Sequence, residues 1–419
     1  MTEITIKIES LGASGDGVAT GPEGAPIFVP LALPGETVAV EIEDGRARLK
    51  RIIEPSSDRC KPVCSHFNQC GGCTLQHMRP EPYRDWKRQQ LAITLAARGL
   101  DIESLGVEFS PLVEGAIGMR RRAVFSATRT KKSVLIGYFK RASHEIVDIH
   151  QCPVLSPEIV EALPALRKLV RPLLSRKNVA RLSILTTQGG LDIIIDDVEP
   201  VEEAAKRIEL VELCADIKLA RLSVAGEMII EKDRAYIAFD GLKAISPPGG
   251  FLQASEVIQD KMIAHILQLT SDIKTKSKAL DLYSGMGTFS LPLARDFKVL
   301  AVEYDKAALK ALQQAIGFSE GLKPVEVLER DLAIMPLSAL ELKGYDVVLF
   351  DPPRSGARAQ VGELAKSDVS KLIAISCSPA SFARDARILI DGGYKLKSLT
   401  PFDQFLYSTH VELVGEFVK

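Results

Sequence analysis

Ala279-Leu280-Asp281-Leu282-Tyr283-Ser284-Gly285-Met286-Gly287-Thr288-Phe289 reads as a strand, a glycine turn and the start of a helix. Two glycines in such a turn let a ligand approach the backbone at the C-terminal edge of a parallel sheet, where doubly wound folds bind their ligands. A second strand over Lys298–Val302 ends in Glu303. An acidic residue about twenty residues past the glycines suits a ribose diol, as in dinucleotide folds. The third glycine of the dinucleotide fingerprint is absent, because Ser290 stands there. The stretch therefore points to a nucleoside cofactor, and the choice of cofactor rests on the residues downstream.

Downstream lies Tyr345-Asp346-Val347-Val348-Leu349-Phe350-Asp351-Pro352-Pro353-Arg354. A strand ending in Asp-Pro-Pro places a carboxylate and a rigid backbone at the sheet edge. A further apolar run, Leu372 to Ile375, leads into Ser376-Cys377-Ser378-Pro379, a thiol on a sharp turn after a buried strand. Lone cysteines are most often small buried hydrophobes. Cys377 is a candidate nucleophile only because the groups around it would give it something to do. Glu412, on the apolar strand His410 to Val414, is the candidate base, with His410 as the runner-up for proton transfer.

At 419 residues the chain exceeds one ordinary domain. Pro247-Pro248-Gly249-Gly250 marks a boundary, and a helix from Ser255 to Leu269 comes after it. The reading is a small β-barrel over 1–56, an α+β central domain over 57–246 and a Rossmann-like α/β domain over 247–419. The formal net charge of −1 gives no global case for nucleic acid, so any such case needs a local patch. No run of 18 apolar residues occurs, and Met1 to Ser10 lacks the features of a signal peptide, so the chain reads as cytoplasmic.

In residues 1–54, alternation through Ile4, Ile6 and Ile8, glycines at 12, 15 and 17, and short apolar runs at Ile27–Val29 and Val38–Ile42 suggest a barrel of the oligonucleotide-binding type. Four of the seven cysteines, Cys60, Cys64, Cys70 and Cys73, lie within fourteen residues. In a cytosolic chain this favours metal over disulfides. A zinc knuckle using all four is tightly spaced. A radical-type C-x3-C-x2-C cluster would need a cysteine where Phe67 stands. An iron–sulfur cluster on Cys64, Cys70 and Cys73 needs a distant fourth thiolate, for which Cys152 in His150-Gln151-Cys152-Pro153 is the natural candidate. The helix read over 80–100 has a basic face of the kind that is mostly solvated. Residues 118–150 carry eight cations against only Glu145 and Asp148, with Phe125, Tyr138 and Phe139 interleaved. That mixture suits phosphate contact and base stacking.

In this order, Leu252-Gln253, the Asp281–Thr288 turn, Asp351-Pro352-Pro353-Arg354, Ser376-Cys377-Ser378-Pro379 and His410-Val411-Glu412 resemble the RNA 5-methyluridine methyltransferase family over nearly the whole chain. The likeness is to the subgroup that carries a TRAM domain and a [4Fe–4S] cluster and acts on 23S ribosomal RNA. The resemblance implies that Cys64, Cys70, Cys73 and Cys152 hold the cluster, leaving Cys60 as an extra. It implies that Gln253, Tyr283, Thr288, Glu303, Asp331 and Asp351 line the S-adenosylmethionine site, with Cys377 as nucleophile and Glu412 as base. Ser378, Thr288 and Ser284 stand where Asn, Asn and Cys are frequent in that family, so no reacting group is lost.

The chemistry explains these residue types. C5 of uracil is a poor nucleophile, and a thiolate adding to C6 makes it an enolate carbon that can attack a methylsulfonium. A base must then take the C5 proton. A free thiol is mostly protonated at neutral pH, so Cys377 is expected to be activated by its surroundings. Both faces of the base must be reached, so the uridine is flipped out. Rival readings are an exocyclic-amine methyltransferase, against which Arg354 stands after the prolines, and a non-catalytic RNA-binding scaffold. Transfer RNA is the alternative to ribosomal RNA as substrate.

Overall fold

The structure, a computed structural model, describes residues 2–21, 24–43, 46–175, 178–273 and 277–419. The N-terminal strands form two three-stranded sheets, Thr2–Lys7 with Thr37–Glu43 and Arg46–Glu54, and Ser10–Leu11 with Gly17–Thr20 and Pro26–Val29. Backbone bonds at Ile8–Glu36 and Glu9–Val18 join them. Alternation sends Ile8, Val29, Val38 and Val40 into one shared core. Arg59 clamps the barrel to the cysteine segment through the fully buried Glu36, 2.8 Å from Nη2 to Oε2.

The central unit is a seven-stranded sheet built on the hairpin Arg122–Arg129 and Val134–Phe139. Every neighbouring pair is antiparallel except Gly190–Asp196 with Leu219–Val224. Helices Pro157–Val170 and Ala204–Leu213 cover it over a common apolar core.

The C-terminal sheet has eight strands in the order Val325–Glu329, Lys298–Glu303, Lys278–Leu282, Val347–Phe350, Lys371–Ser376, Glu412–Val418, Lys395–Phe402 and Glu108–Phe109. The first five are parallel. Glu412–Val418 runs antiparallel to both its neighbours. The strand order reverses between Lys278–Leu282 and Val347–Phe350, and ligands of open α/β sheets bind outside the strand C-termini at such a point. The helix read from the sequence as Ser255–Leu269 spans Glu256–Thr270, with Ser255 accepting from Ile258 N as its N-cap.

The stretch after the cysteines departs from its expected surroundings. Helix Pro80–Ala96 and the residues after it send Leu91, Leu95, Leu100, Ile102, Val107 and Leu112 into the core of the C-terminal sheet. Glu108–Phe109 then closes that sheet's outer edge. The helix is not the solvated basic rod its charge pattern suggests: Lys87 is 2% exposed and ion-paired with Asp403.

Candidate active site

The sheet topology gathers the site. Parallel strands all end at one edge, so Tyr283, Glu303, Asp351 and Cys377, each just past or closing its strand, come together there. The antiparallel strand begins where the others end. Ser376 pairs with Leu413, so the next position outward sets Cys377 against Glu412. Two residues 35 positions apart in sequence are neighbours through that one register.

The glycine turn is built for close approach. Tyr283, Gly285 and Gly287 all have positive φ, at 61°, 55° and 94°. A Cβ on Gly287 would meet Leu312 Cδ1 at 2.5 Å, while one on Gly285 would meet nothing within 4 Å. The positive φ favours glycine at 287, where a Cβ would also displace the end of Leu312, and Gly285 leaves room over the backbone. Glu303 ties the turn to its own strand end: Gly285 N donates to Oε2 at 2.9 Å, and Tyr304 N and Asp305 N donate to Oε1 at 2.7 and 2.9 Å. Asp331 accepts from Ala333 N at 2.9 Å, and Thr288 is half-buried in the turn. The helix expected after the turn is only four residues long, Ser290–Leu293.

Asp281 belongs to the glycine-turn motif, yet sequence reasoning gives it no role. It is fully buried, accepts from Ser290 Oγ on one oxygen and leaves Oδ1 without a partner. Burial, with smaller contributions from the charges of Asp351 and Glu303, pushes its carboxyl up to about 7. A carboxylate between two leucines of an apolar strand is the available signal. Burial likewise pushes Asp351 up to about 7, although part of its surface is open. Asp281 feels the charge of both Asp351 and Glu303, so a cation brought beside these carboxyls would be favoured.

An amide chain links Asp351 to Glu412. Gln253 Nε2 donates to Asp351 Oδ2 at 3.3 Å, and Gln253 Oε1 accepts from Gln404 Nε2 at 2.6 Å. Gln404 Nε2 also donates to Glu412 Oε1 at 3.3 Å. Glu412 is 3% exposed and its Oε2 has no partner. Its carboxyl is held well above the ordinary range, by burial first and then by the charge of Asp351. Gln404 carries no signal in the sequence.

Cys377 is half-buried, and Ser378 beside it caps helix Pro379–Asp391 by accepting from Ser381 N. The expected activation of the thiol is not present. Burial, then the charges of Glu412 and Asp351, push it up to about 11, against which Arg354 acts in the opposite direction. The physical reason is that the thiol is desolvated first, and that two carboxyl groups then share its surroundings with a single guanidinium. Arg354 Nη2 also lies 3.4 Å from His410 Nδ1.

Of the seven cysteines, Cys64, Cys70, Cys73 and Cys152 lie within electrostatic reach of one another, with Cys64, Cys70 and Cys152 all acting to raise Cys73. Cys73 is pushed up to about 12, by burial first. Cys60 stands apart, its thiol 3.5 Å from Gln76 O. Among the described residues, no group of three or more His, Cys, Asp or Glu is set to hold a single metal ion. The cysteine loop touches the catalytic half directly: Thr74 N and Leu75 N both donate to Tyr407 O, at 2.7 and 3.0 Å.

The basic segment is divided. Arg121 is buried, its Nε donating to Gln253 O at 3.1 Å and its Nη2 to Gln259 Oε1 at 2.7 Å, so it braces the site from inside and is lost to phosphate contact. A cleft of about 1300 Å³ between the barrel and the cysteine loop is lined by Phe28, Arg48, Arg51, Arg59, Phe67 and Arg141. Among the described residues no helix is long and apolar enough to cross a membrane.

A five-stranded parallel sheet extended by an antiparallel strand, with a glycine turn and an acidic crevice at its switch point, defines a class I methyltransferase. The family model for tRNA (uracil-5-)-methyltransferase matches residues 114–418, and that for the TRAM domain matches residues 2–49. The chain belongs to the uracil-5 methyltransferase family of RNA-modifying, S-adenosylmethionine-dependent enzymes, and carries an N-terminal TRAM domain. It is 42% identical to an uncharacterized RNA methyltransferase of Agrobacterium fabrum, with 100% of both chains covered. It is 31% identical to the 23S rRNA (uracil(1939)-C(5))-methyltransferase RlmD of Shewanella sediminis, covering 99% of this chain and 96% of that one. The fold matches that of the Pyrococcus abyssi tRNA (uracil-54, C5)-methyltransferase with a TM-score of 0.75, at 23% identity and 99% coverage of both chains.

Proposed function

We propose that the protein methylates C5 of a flipped uridine in 23S ribosomal RNA, with Cys377 as nucleophile and Glu412 as base. The observation that carries the mechanism is the antiparallel register that sets a half-buried thiol against a buried carboxylate with one free oxygen. The ribosomal target rests on the RlmD relative, similar over nearly the full chain. Gln253, Tyr283, Thr288, Glu303, Asp331 and Asp351 form the cofactor crevice. The fit rests on the open space over Gly285 and on the orphaned buried oxygens of Asp281 and Ser284. When bound there, S-adenosylmethionine supplies a methyl carbon on a cationic sulfur.

As the thiolate, Cys377 Sγ adds to C6 and forms a C–S bond, which gives C5 the electron pair; C5 would then bond to the methyl carbon as that carbon's bond to the sulfonium sulfur breaks, its electron pair staying on the sulfur. Glu412 then takes the C5 proton, the C5–C6 double bond re-forms, and the C–S bond breaks to return the thiolate. The carboxyl groups that hold Cys377 protonated in the free enzyme also favour a cationic ligand beside them. Arg354, next to the prolines, acts to lower the thiol's pKa, and a guanidinium near Cys377 would stabilise the charge that builds on the uracil oxygens. The cleft between barrel and cysteine loop, with Phe28 53% exposed among arginines, is the grip on flanking RNA.

5-Fluorouridine in place of the target uridine has no C5 proton to lose, so the covalent complex with Cys377 accumulates. Incubation with the cofactor and 5-fluorouridine-substituted RNA should give a denaturation-resistant adduct on 23S fragments. No adduct with any RNA would defeat the mechanism, and an adduct with transfer RNA alone would defeat the ribosomal assignment.

We further propose that Cys64, Cys70, Cys73 and Cys152 hold a [4Fe–4S] cluster. A cubane takes one thiolate at each of four iron corners, and four thiols within electrostatic reach of one another supply that number. The cluster would cross-link residues 64–73 to 152 and so secure the loop that binds Tyr407. Anaerobic preparations should be brown with about four irons per chain, a colour lost in Cys73→Ser and kept in Cys60→Ser. A colourless protein with stoichiometric zinc would overturn this.

A further inference from the structure

We propose that Gln404 is a positioning residue which holds Glu412 Oε1 and thereby selects Oε2 as the oxygen that receives the C5 proton. This rests on the proposed roles of Cys377 and Glu412. Gln404 is 5% exposed, and both polar atoms of its amide are engaged. Its Oε1 accepts from Ser255 N at 3.3 Å. A backbone N–H can only donate, so this contact fixes which way the amide points and commits Nε2 to the opposite side. There Nε2 donates to both Gln253 Oε1 and Glu412 Oε1. Gln253 is oriented in turn, since its Oε1 is taken and its Nε2 must face Asp351. One amide, keyed by one backbone group, therefore sets the carboxyls on both sides of the site.

The oxygen left over is informative. Glu412 Oε2 is buried with no partner, although an unmade buried hydrogen bond costs about 1–3 kcal/mol. An oxygen kept bare on the carboxyl that acts on the thiol is one reserved for a proton that arrives only during the reaction. The groups facing Glu412 are Asp351 and Arg354 from the loop after Val347–Phe350 and Cys377 from the end of Lys371–Ser376. On its own flank are His410, near Arg354, and Asp403, neutralised by Lys87. Gln404 is the neutral donor among them. A hydrogen bond donated to a carboxylate favours its charged form, so losing it raises the pKa at which Glu412 becomes a competent base.

The test compares Gln404→Met, which keeps the length and removes all three bonds, with Gln404→Glu, which replaces the donor with a second carboxyl. Both should lower turnover roughly 10- to 100-fold, the worth of a hydrogen bond to a charged group. The acid limb of the kcat profile should move to higher pH in both. Proton removal should become the slow step, so a covalent complex with ordinary uridine RNA should now accumulate. The rate of adduct formation on 5-fluorouridine RNA, which needs no base, should change less than about threefold, a shift under 1 kcal/mol, and it also verifies that each variant is folded. Wild-type turnover and pH profile in either variant would overturn the proposal. So would an equal fall in turnover and in adduct rate in a variant that binds the cofactor normally. Absence of adduct in the wild type would instead strike the parent mechanism.

Discussion

Replacing Cys377 with Ala is expected to reduce methyl transfer by roughly 10⁴-fold or more, the scale lost when a covalent nucleophile is removed. The size reflects the lack of a substitute. Ser376 Oγ donates to Ser378 O at 3.2 Å, and Ser378 Oγ is engaged in capping the next helix. Neither hydroxyl is free to attack, and neither has a base to activate it. Without the C6 adduct, C5 has no electron pair to offer, so correct placement of Glu412 cannot compensate. Cofactor affinity should change little, because Cys377 belongs to neither the glycine turn nor the Glu303 strand end. Stability should not fall either, since the half-buried thiol is replaced by a smaller residue at the edge of the sheet. Transfer of a labelled methyl group, with calorimetric titration of the cofactor on the same sample, checks both halves. Retention of even a tenth of the activity would end the covalent mechanism. Loss of cofactor binding alongside activity would contradict the placement of Cys377 outside the crevice.

How much the sequence reveals depends on how local each signal is. The Asp281–Thr288 turn is legible because strand, glycines and helix start are contiguous, and the glycine spacing has a steric cause that the structure displays at Gly287. Cys377 and Glu412 are legible as separate strand-end residues, but their adjacency depends on an antiparallel strand that no periodicity announces. The state of the thiol is hidden for a related reason. The needs of the reaction argue for activation, whereas the pKa is raised by burial first and then by Glu412 and Asp351, which arrive from two other strands. Gln404 is invisible because a glutamine owes its role to partners at 253, 255 and 412, and its own flanks show only a turn. Arg121 counts as surface charge by composition, while its burial against Gln253 and Gln259 comes from the packing of two domains. Cys60 cannot be separated from the other thiols by spacing, since what distinguishes it is that it faces Gln76.

Lys87 is the strongest case of a long-range role hidden in a local pattern, and it carries the second large effect. Its Nζ donates to Asp403 Oδ1 at 2.7 Å, to His410 O at 2.8 Å and to Phe405 O at 3.4 Å. Asp403 Oδ2 accepts from Tyr83 OH at 2.8 Å, and that hydroxyl accepts from Tyr407 N at 2.8 Å. The helix thus holds residues 403–410, including Tyr407 at φ 62°, in the shape that presents Gln404 and leads into Glu412. In Lys87→Met the stem is kept and the charge is lost, leaving Asp403 buried and unpaired. Breaking a buried pair by removing one partner costs about 3–5 kcal/mol. Trp86, the single tryptophan, lies buried beside Lys87 and reports on this helix directly. Its fluorescence should show the variant unfolding at clearly lower urea than the wild type. Adding Asp403→Leu should recover much of the stability, since two apolar residues replace a buried pair at little cost. Methyl transfer should stay low in that double variant, because an apolar pair cannot reach the carbonyls of Phe405 and His410. Recovery of stability and activity together would mean that the pair serves packing alone and that the loop holds its shape without it.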